Sequence, residues 1–259
     1  MATPLLQLTD IRIGFGDGPD VISGATITMS DNEFVSVIGP SGCGKSTIMN
    51  AVAGLLTVRS GNVTYRGAAI RGVNTDVGYM TQGDTLLPWR TVEDNVAMPL
   101  KLRGVGRGVT RTKVWDLLEM LDLTAAARKF PAQLSGGMKR RALLARSMIY
   151  EPQLLLMDEP FAALDAQLRT QMHSELRSTV ATLGQAVLFI THDIYEAVLL
   201  SDRVIVLGGV PARPMADIRI PFGQDRDVDA LRFDPEFVRI EKEVHDVLGE
   251  ARTLSRAAS

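Results

Sequence analysis

The sequence has only one cysteine and almost no net charge, and each shortage excludes a class of protein. Cys43 has no partner for an intrachain disulfide, and this cysteine content is typical of a reducing compartment. The 28 basic and 30 acidic residues leave a net charge of −2, which argues against a protein whose main task is to neutralise nucleic-acid phosphates. With 46% hydrophobic and 22% charged residues, the 259-residue chain has an ordinary globular composition, so global disorder is excluded.

Long apolar segments are also missing. No stretch approaches the ~18 consecutive apolar residues of a membrane-spanning helix. Residues 1–5 lack the basic start and the apolar stretch of a secretory signal. Taken alone, the sequence therefore predicts a soluble, cytoplasmic protein.

Short apolar segments alternate with helical patterns along most of the chain. The segments are nearly continuous in apolar residues, which is typical of strands that are buried on both faces of a parallel sheet. Because strand, helix and strand repeat, we expect an α/β fold with a mostly parallel sheet and helices on its faces. The predicted buried strands are residues 34–38, 154–157, 186–190 and 203–207.

Other segments have different periods. Residues 5–13 and 20–29 alternate apolar and polar positions, which predicts an antiparallel hairpin or meander. Helical spacing from Thr110 predicts a largely helical insert over about residues 90–150.

The chain divides into a first domain, residues 1–210, and a C-terminal extension, residues 211–259. In the extension, Pro235 begins an amphipathic helix that we expect to end at Gly249, with the last ten residues frayed.

Residues 39–46 match the pattern G-x-x-x-x-G-K-[ST] between a predicted strand and a predicted helix. Glycines let backbone N–H groups approach phosphate oxygens, and the start of the next helix adds partial positive charge. Lys45 is expected to contact the β- and γ-phosphates, and the Ser46 hydroxyl to bind Mg²⁺. A plain glycine-serine turn is the alternative, and Cys43 is either a small packing residue or a redox group. The loop residues are Gly39, Pro40, Ser41, Gly42, Cys43, Gly44, Lys45, Ser46 and Thr47.

Two carboxylates and a histidine follow neighbouring predicted strands. Ligands of open α/β sheets bind beyond the carboxyl ends of the strands. Asp158 is expected to hold Mg²⁺ there and Glu159 to deprotonate the attacking water, unless the pair is only a solvated strand end. His192 is expected to contact the γ-phosphate, although a lone histidine is often structural. His173 and His245 lie in helical patterns without metal-ligand spacing and are predicted to be surface residues.

A second glycine cluster, residues 134–138, precedes the basic helical stretch 139–146. A serine hydroxyl, two glycines and a helix start make this a second candidate anion site, with a turn followed by a helix as the alternative. At this point the sequence resembles the nucleotide-binding subunit of ABC transporters, whose signature motif is Leu-Ser-Gly-Gly-Gln.

The resemblance covers roughly residues 5 to 210, with the motifs of the family in order. Residues 39–47 match its phosphate loop, residues 154–159 its acidic strand, and residues 163–165 the loop that links two sites. The remaining matches are single family positions: Phe15 for the aromatic on adenine, Gln82 for the glutamine near Mg²⁺ and the attacking water, His192 for the switch histidine, Asp165 for the linking loop, and Ser135, Gly136, Gly137 and Met138 for the signature.

The resemblance implies a P-loop NTPase core with a mostly parallel sheet, an antiparallel β subdomain and a helical insert subdomain. It implies ATP and Mg²⁺ as cofactors. Glu159, His192 and Gln82 would then be catalytic, and Ser46, Gln82 and Asp158 would hold the metal. Phe15, the phosphate loop, the signature and Asp165 would contact nucleotide.

Several details resemble the importer group for nitrate, sulfonate and taurine. They are residues 86–92, residues 157–161 and Met138 in place of the signature glutamine. The chain also departs from this group at three places: Arg140 stands where glutamine is frequent, Ala162 where glycine is frequent, and Asn32 where the group has glycine before Glu33.

The resemblance implies a head-to-tail homodimer with two ATP molecules at its interface. It implies transmembrane permease subunits that contact residues 82–100, and indirectly a periplasmic or extracellular solute-binding protein, with no nucleic-acid partner. Trp89 is either part of the permease contact or an ordinary packing residue. The expected location is the cytoplasmic side of the inner membrane, as a peripheral subunit.

Two other functions remain open on the sequence alone. A soluble ABC-type ATPase that acts on DNA or the ribosome would contain long coiled coils or two fused ATPase units, and neither pattern is present. A P-loop kinase would leave the second glycine cluster and His192 without a role.

Overall fold

Strands and helices alternate along the computed structural model, which describes residues 3–162, 164–223, 226 and 231–257. The strands are β1 (Leu6–Gly14), β2 (Asp20–Met29), β3 (Phe34–Ile38), β4 (Ser60–Tyr65), β5 (Ala68–Ala69), β6 (Gly78–Met80), β7 (Leu154–Asp158), β8 (Ala186–Ile190), β9 (Arg203–Gly208) and β10 (Arg213–Arg219). The helices are α1 (Lys45–Val52), α2 (Val92–Leu102), α3 (Arg107–Met120), α4 (Gly136–Met148), α5 (Ala166–Leu183), α6 (Ile194–Leu200) and α7 (Pro235–Ala257). Short 3-10 turns lie at Thr124–Ala126 and Pro131–Gln133.

The larger sheet has the strand order β10-β9-β3-β8-β7-β6. Strands β9, β3, β8, β7 and β6 are parallel, and β10 is antiparallel to β9. Side chains of a strand point alternately to the two faces, so Phe34 and Ile38 enter one hydrophobic core while Val35 and Val37 enter the other. The apolar segments are continuous because both faces are covered, and the predicted parallel sheet is confirmed.

The smaller sheet is antiparallel, in the order β2-β1-β4-β5, and covers one face of the larger one. On β1, Leu6 and Leu8 are buried, and the pattern then shifts by one residue to Ile11 and Ile13. The register shift around Asp10, which has φ +46°, is a β-bulge that keeps both apolar pairs facing the core. The predicted antiparallel hairpin is therefore present, with one extra residue in its first strand.

The predicted helical insert lies between β6 and β7 and consists of α2, α3 and α4 packed on one another. Thr91 caps α2 by accepting a hydrogen bond from the Asp94 backbone N–H at 3.3 Å. The fully buried Asn95 bonds to both backbone groups of Leu87 and to the carbonyl of Arg90. These bonds fix the segment that leads from β6 into the insert.

The chain after residue 210 continues the larger sheet, because β10 pairs with β9 and α7 packs against β9. The apolar face predicted for the last helix, including Phe237, Ile240 and Val244, is buried. The predicted end at Gly249 is wrong, since α7 runs to Ala257. Ala251 is fully buried against Gly208, and this contact outweighs the ~1 kcal/mol that glycine costs inside a helix. Among the described residues, no helix has the length and apolarity needed to cross a bilayer.

Gly54 ends α1, the helix that follows the phosphate loop. Its N–H bonds to the carbonyl of Ala51, and the N–H of Leu55 bonds to the carbonyl of Asn50, which is the Schellman pattern of a helix end. Gly54 has φ +68°, and a Cβ there would lie 1.8 Å from the carbonyl oxygen of Gly72. Only glycine fits this position without displacing backbone.

We expect Gly54→Ala to lower the free energy of unfolding by about 3 kcal/mol or more, because it combines a disfavoured φ with a backbone clash. Gly104→Ala is the matched control, since Gly104 has φ +71° but open space around it, and should cost only about 1–2 kcal/mol. Urea-induced unfolding of both variants measures the difference. Equal losses would show that the contact with Gly72 does not matter.

Candidate active site

The phosphate loop joins β3 to α1, beside the start of β2. Gly44 has φ +102°, and a Cβ there would lie 2.8 Å from side-chain atoms of both Val21 and Ile22. The Lys45 ammonium donates hydrogen bonds of 3.0 Å to the carbonyls of Gly39 and Pro40, so the loop is wrapped around this charge. A bare Gly/Ser turn would not bury a lysine in this way, and the geometry is that of an anion-binding loop.

Cys43 behaves as a packing residue within this loop. A Cβ at Gly39 would lie 2.8 Å from the Cys43 sulfur, so the thiol sits directly over that glycine. Burial raises the pKa of the Cys43 thiol, and the nearby Lys45 charge offsets this only in part. A thiol with a raised pKa is protonated at neutral pH, which favours the packing hypothesis over the redox one.

Asp158 ends β7 next to the phosphate loop and shares a side-chain hydrogen bond with Ser46. Burial raises the pKa of Asp158, and the contacts with Ser46 and Lys45 lower it again in part. A hydroxyl and a carboxylate are the hard oxygen donors that Mg²⁺ takes, together with phosphate oxygens and water. Within the described ranges, no group of three or more His, Cys, Asp or Glu residues is placed to hold a metal without such additional ligands. The donor set therefore fits Mg²⁺.

Glu159 is the point at which the three residues expected to be catalytic meet. Its Oε2 accepts a hydrogen bond from Gln82 Nε2 at 3.1 Å and lies 3.3 Å from His192 Nδ1. The backbone N–H of Glu159 donates to the carbonyl of Ile190, the last residue of β8. With φ +46°, Glu159 adopts a strained backbone of the kind that clusters at functional sites. The ends of β6, β7 and β8 thus converge on one carboxylate.

A buried network holds the loop that carries His192. Glu196 on α6 is 4% exposed, and it accepts hydrogen bonds from Thr191 at 2.6 Å and shares one with His173 of α5 at 3.2 Å. Burial alone would raise the pKa of Glu196, but the bonds from His173 and Thr191 outweigh it and lower that pKa below its usual value. The residue before His192 is therefore tied to two helices.

The prediction for His173 is wrong, because its side chain is only 3% exposed and packs edge-on against the ring of Phe161. His245 is exposed, as expected.

Glu196 was not among the predicted site residues. A glutamate three residues after a capping residue such as Asp193 is typical of a helix-capping box, so its position in the sequence does not indicate a buried role. Asp193 does cap α6, yet the Glu196 side chain turns inward to His173 instead of back to the cap.

The signature residues begin α4. Ser135 caps this helix by accepting a bond from the Met138 N–H at 3.3 Å. Gly136 faces open space, whereas a Cβ at Gly137 would lie 2.5 Å from a methyl group of Leu168. Gly136 therefore leaves room for a ligand and Gly137 allows close packing on α5. Across the described part of the chain, no hydrogen bond or ion pair joins residues 135–138 to the phosphate loop.

The remaining predicted contacts lie on exposed loops. Phe15 is 58% exposed in the turn between β1 and β2, and Arg59 holds that turn through Asp20 and the carbonyl of Gly16. Asp165 is exposed and caps α5 through the Leu168 N–H at 3.0 Å. Ala163, the first residue of the predicted linking loop, lies outside the described residues.

Comparisons with known proteins agree with this architecture. The family model described as "ABC transporter" matches residues 22–162. A taurine import ATP-binding protein, TauB, of Rhizobium johnstonii is 37% identical, with 94% of this chain and 95% of the relative covered. TauB of Escherichia coli is 34% identical over 96% of this chain and 98% of the relative.

A solved structure of the dimeric ATP-binding cassette MJ0796, in a post-hydrolysis state with ADP and Pi, superposes with a TM-score of 0.72. It is 26% identical and covers 83% of this chain and 98% of its own. Its fold confirms the predicted P-loop core with an antiparallel β subdomain and a helical insert. The chain belongs to the ABC transporter family and is an ATP-binding, ATP-hydrolysing member of it.

Proposed function

We propose that this chain is the ATPase subunit of an importer for a small sulfonate such as taurine, working with a separate permease. The observation that carries the proposal is the meeting of Gln82 and His192 at Glu159, next to the loop that holds Lys45. Among the solutes that the sequence resemblance implies, taurine is named by the relatives that match nearly the whole chain.

The proposed chemistry uses a division of labour between these side chains. Lys45 and the backbone N–H groups of its loop bind the β- and γ-phosphates of ATP. Glu159 takes a proton from the attacking water, whose oxygen bonds to the γ-phosphorus while the bond to the β,γ-bridging oxygen breaks. Gln82 orients that water, and His192 contacts the γ-phosphate with its exposed ring. Mg²⁺, held by Ser46 and Asp158, would neutralise phosphate charge when bound.

A second copy of this chain completes each site in the proposed mechanism. Ser135 and the open Gly136 stand at the start of a 13-residue helix, yet no bond joins them to the phosphate loop of their own chain. Unpaired N–H groups at a helix start bind anions. The signature of one chain therefore closes on ATP held by the other in a head-to-tail homodimer, and the similar cassette MJ0796 is reported as a dimer.

The permease is proposed to bind a groove of about 630 Å³ between the sheet domain and the helical insert. Its rim carries exposed apolar side chains, Leu55, Val73 and Leu102, which are 56%, 66% and 80% exposed. Arg103 and Arg146 add positive charge. We infer that an apolar segment of the permease with an acidic side chain fits here, beside the exposed Trp89. This contact would hold the chain at the cytoplasmic face of the membrane.

A soluble ABC ATPase that acts on nucleic acid is the competing function. The apolar rim of the groove and the net charge of −2 both disfavour it.

We expect Glu159→Gln to keep ATP binding and to lower ATP turnover by ~10²–10⁴, the range for the loss of a general base. Lys45→Ala is the contrasting variant, because it should lose ATP affinity itself. Steady-state ATPase assays and fluorescent-nucleotide titrations separate the two effects. Turnover near the wild-type value in Glu159→Gln would remove Glu159 from this role.

Ser135→Arg should give folded monomers that fail to dimerise with ATP, because the added side chain blocks the approach of the partner's nucleotide. Light scattering with ATP, in the hydrolysis-deficient Glu159→Gln background, measures the dimer. Ser174→Arg adds the same charge at an exposed position of α5 and should still dimerise. Dimers of Ser135→Arg would contradict the proposed arrangement.

Leu102→Glu should reduce co-purification with a permease from the same gene neighbourhood by at least ~10-fold, because it places a carboxylate on the apolar rim. Val109→Glu, at an exposed position of α3 that does not line the groove, is the control and should co-purify normally. Equal recovery of both variants would place the permease elsewhere on the chain.

A further inference from the structure

Gln82 is attached through its backbone to the helix that begins at the signature. Its carbonyl oxygen accepts a hydrogen bond from Arg140 Nη2 at 2.7 Å. Arg140 lies in the second turn of α4, which Ser135 caps. The residue whose side chain contacts Glu159 is therefore held by the helix whose start is proposed to close on the partner's nucleotide.

Burying the Arg140 side chain at this position lowers the stability of the fold. It is 8% exposed, and its Nη1 has no hydrogen-bond partner among the described residues. Burial lowers the pKa of Arg140, and the nearby Asp84 only partly offsets this. A buried guanidinium with an unused donor costs stability that an apolar side chain of similar size would not. Stability alone therefore does not account for the contact with Gln82.

The hydrogen bond from Arg140 is also well suited to fix the position of Gln82 relative to α4. A hydrogen bond from a charged donor is roughly twice as strong as a neutral one, and a guanidinium is rigid and planar. The neighbouring link from the same helix, Lys139 to Asp84 at 3.0 Å, joins side chains that are 33% and 44% exposed, and such pairs contribute little. Arg146 binds the carbonyl and hydroxyl of Thr85, three residues beyond Gln82. Of the α4 side chains in the described part of the chain, only Arg140 forms a hydrogen bond with Gln82 itself.

We propose that Arg140 is a positioning residue for ATP hydrolysis, which ties Gln82 to the signature helix α4. Arg140 thereby holds Gln82 against Glu159 in its own site when the start of α4 engages the nucleotide of the partner. The inference rests on the role proposed above for Gln82. The consequence is that nucleotide binding at one site of the dimer affects the geometry of the other site through Arg140, and such coupling is reciprocal.

The test compares kcat and KM for MgATP in variants of the full chain. Arg140→Met keeps the length of the side chain and removes the donor, so we expect kcat to fall about 10- to 100-fold with KM changed by less than about 2-fold. Arg140→Lys keeps a charged donor and should recover kcat to within about 3-fold of wild type. Lys139→Met removes the same charge one residue earlier on α4 and should leave kcat within about 2-fold.

A double-mutant cycle shows whether Arg140 acts through Gln82. In a Gln82→Ala background, the side chain to be positioned is gone, so Arg140→Met should lower kcat by less than about 2-fold further. An equal fold-loss in both backgrounds, or no loss in wild type, would overturn the inference. A Gln82→Ala variant with unchanged kcat would instead remove Gln82 from the proposed function. If thermal unfolding shows that Arg140→Met does not fold, Arg140→Leu, which also lacks a donor, replaces it in the same cycle with the same thresholds.

Discussion

Parallel pairing of β3, β8 and β7 is the constraint on which the site depends. Parallel strands end at the same edge of a sheet, so the phosphate loop, the acidic pair and the histidine loop come together although up to about 150 positions separate them in the sequence. A backbone hydrogen bond connects the ends of β7 and β8 at this edge. The N–H of Glu159 donates to the carbonyl of Ile190, the residue two positions before His192. Glu159 has a φ of +46°, and its carboxylate accepts the hydrogen bond from Gln82.

The helical insert shares a hydrophobic core with the larger sheet, and polar contacts supplement that core at the edge next to Glu159. Asn95 fixes the segment that leads into the insert, and arginines of α4 hold the residues just after β6. Hydrogen bonds are directional, so they keep the bonded groups in one relative orientation when a helix moves, whereas apolar contacts are non-directional and do not. In the proposed mechanism, such bonds let an insert that engages a second chain keep its geometry relative to its own Gln82.

The sequence was sufficient to predict the features that depend on residues close together in the chain. Apolar runs predicted the parallel strands, and the spacing of Gly39, Gly44 and Lys45 predicted an anion-binding loop whose glycines the structure shows to be sterically required. It was insufficient where a distant contact overrides a local preference. His173 is polar and helical, and its burial follows from its contacts with Glu196 and Phe161, both distant in the sequence. Gly249 has the propensity of a helix end, yet the packing of the next turn on β9 continues α7.

Within the described residues, Arg169 of α5 contacts both the loop that precedes α5 and the loop that carries His192. Arg169 donates to the carbonyl of Leu164 at 2.9 Å, just before Asp165, and its guanidinium lies 3.7 Å from Asp193 and 3.9 Å from Glu196. Asp165 is exposed and caps α5, so the start of α5 is connected to the His192 loop through the contacts of Arg169. Glu159 therefore has two neighbours that are held by different parts of the chain, Gln82 on one side and His192 on the other. In the proposed mechanism, hydrolysis requires both of these contacts together with the signature of a second chain.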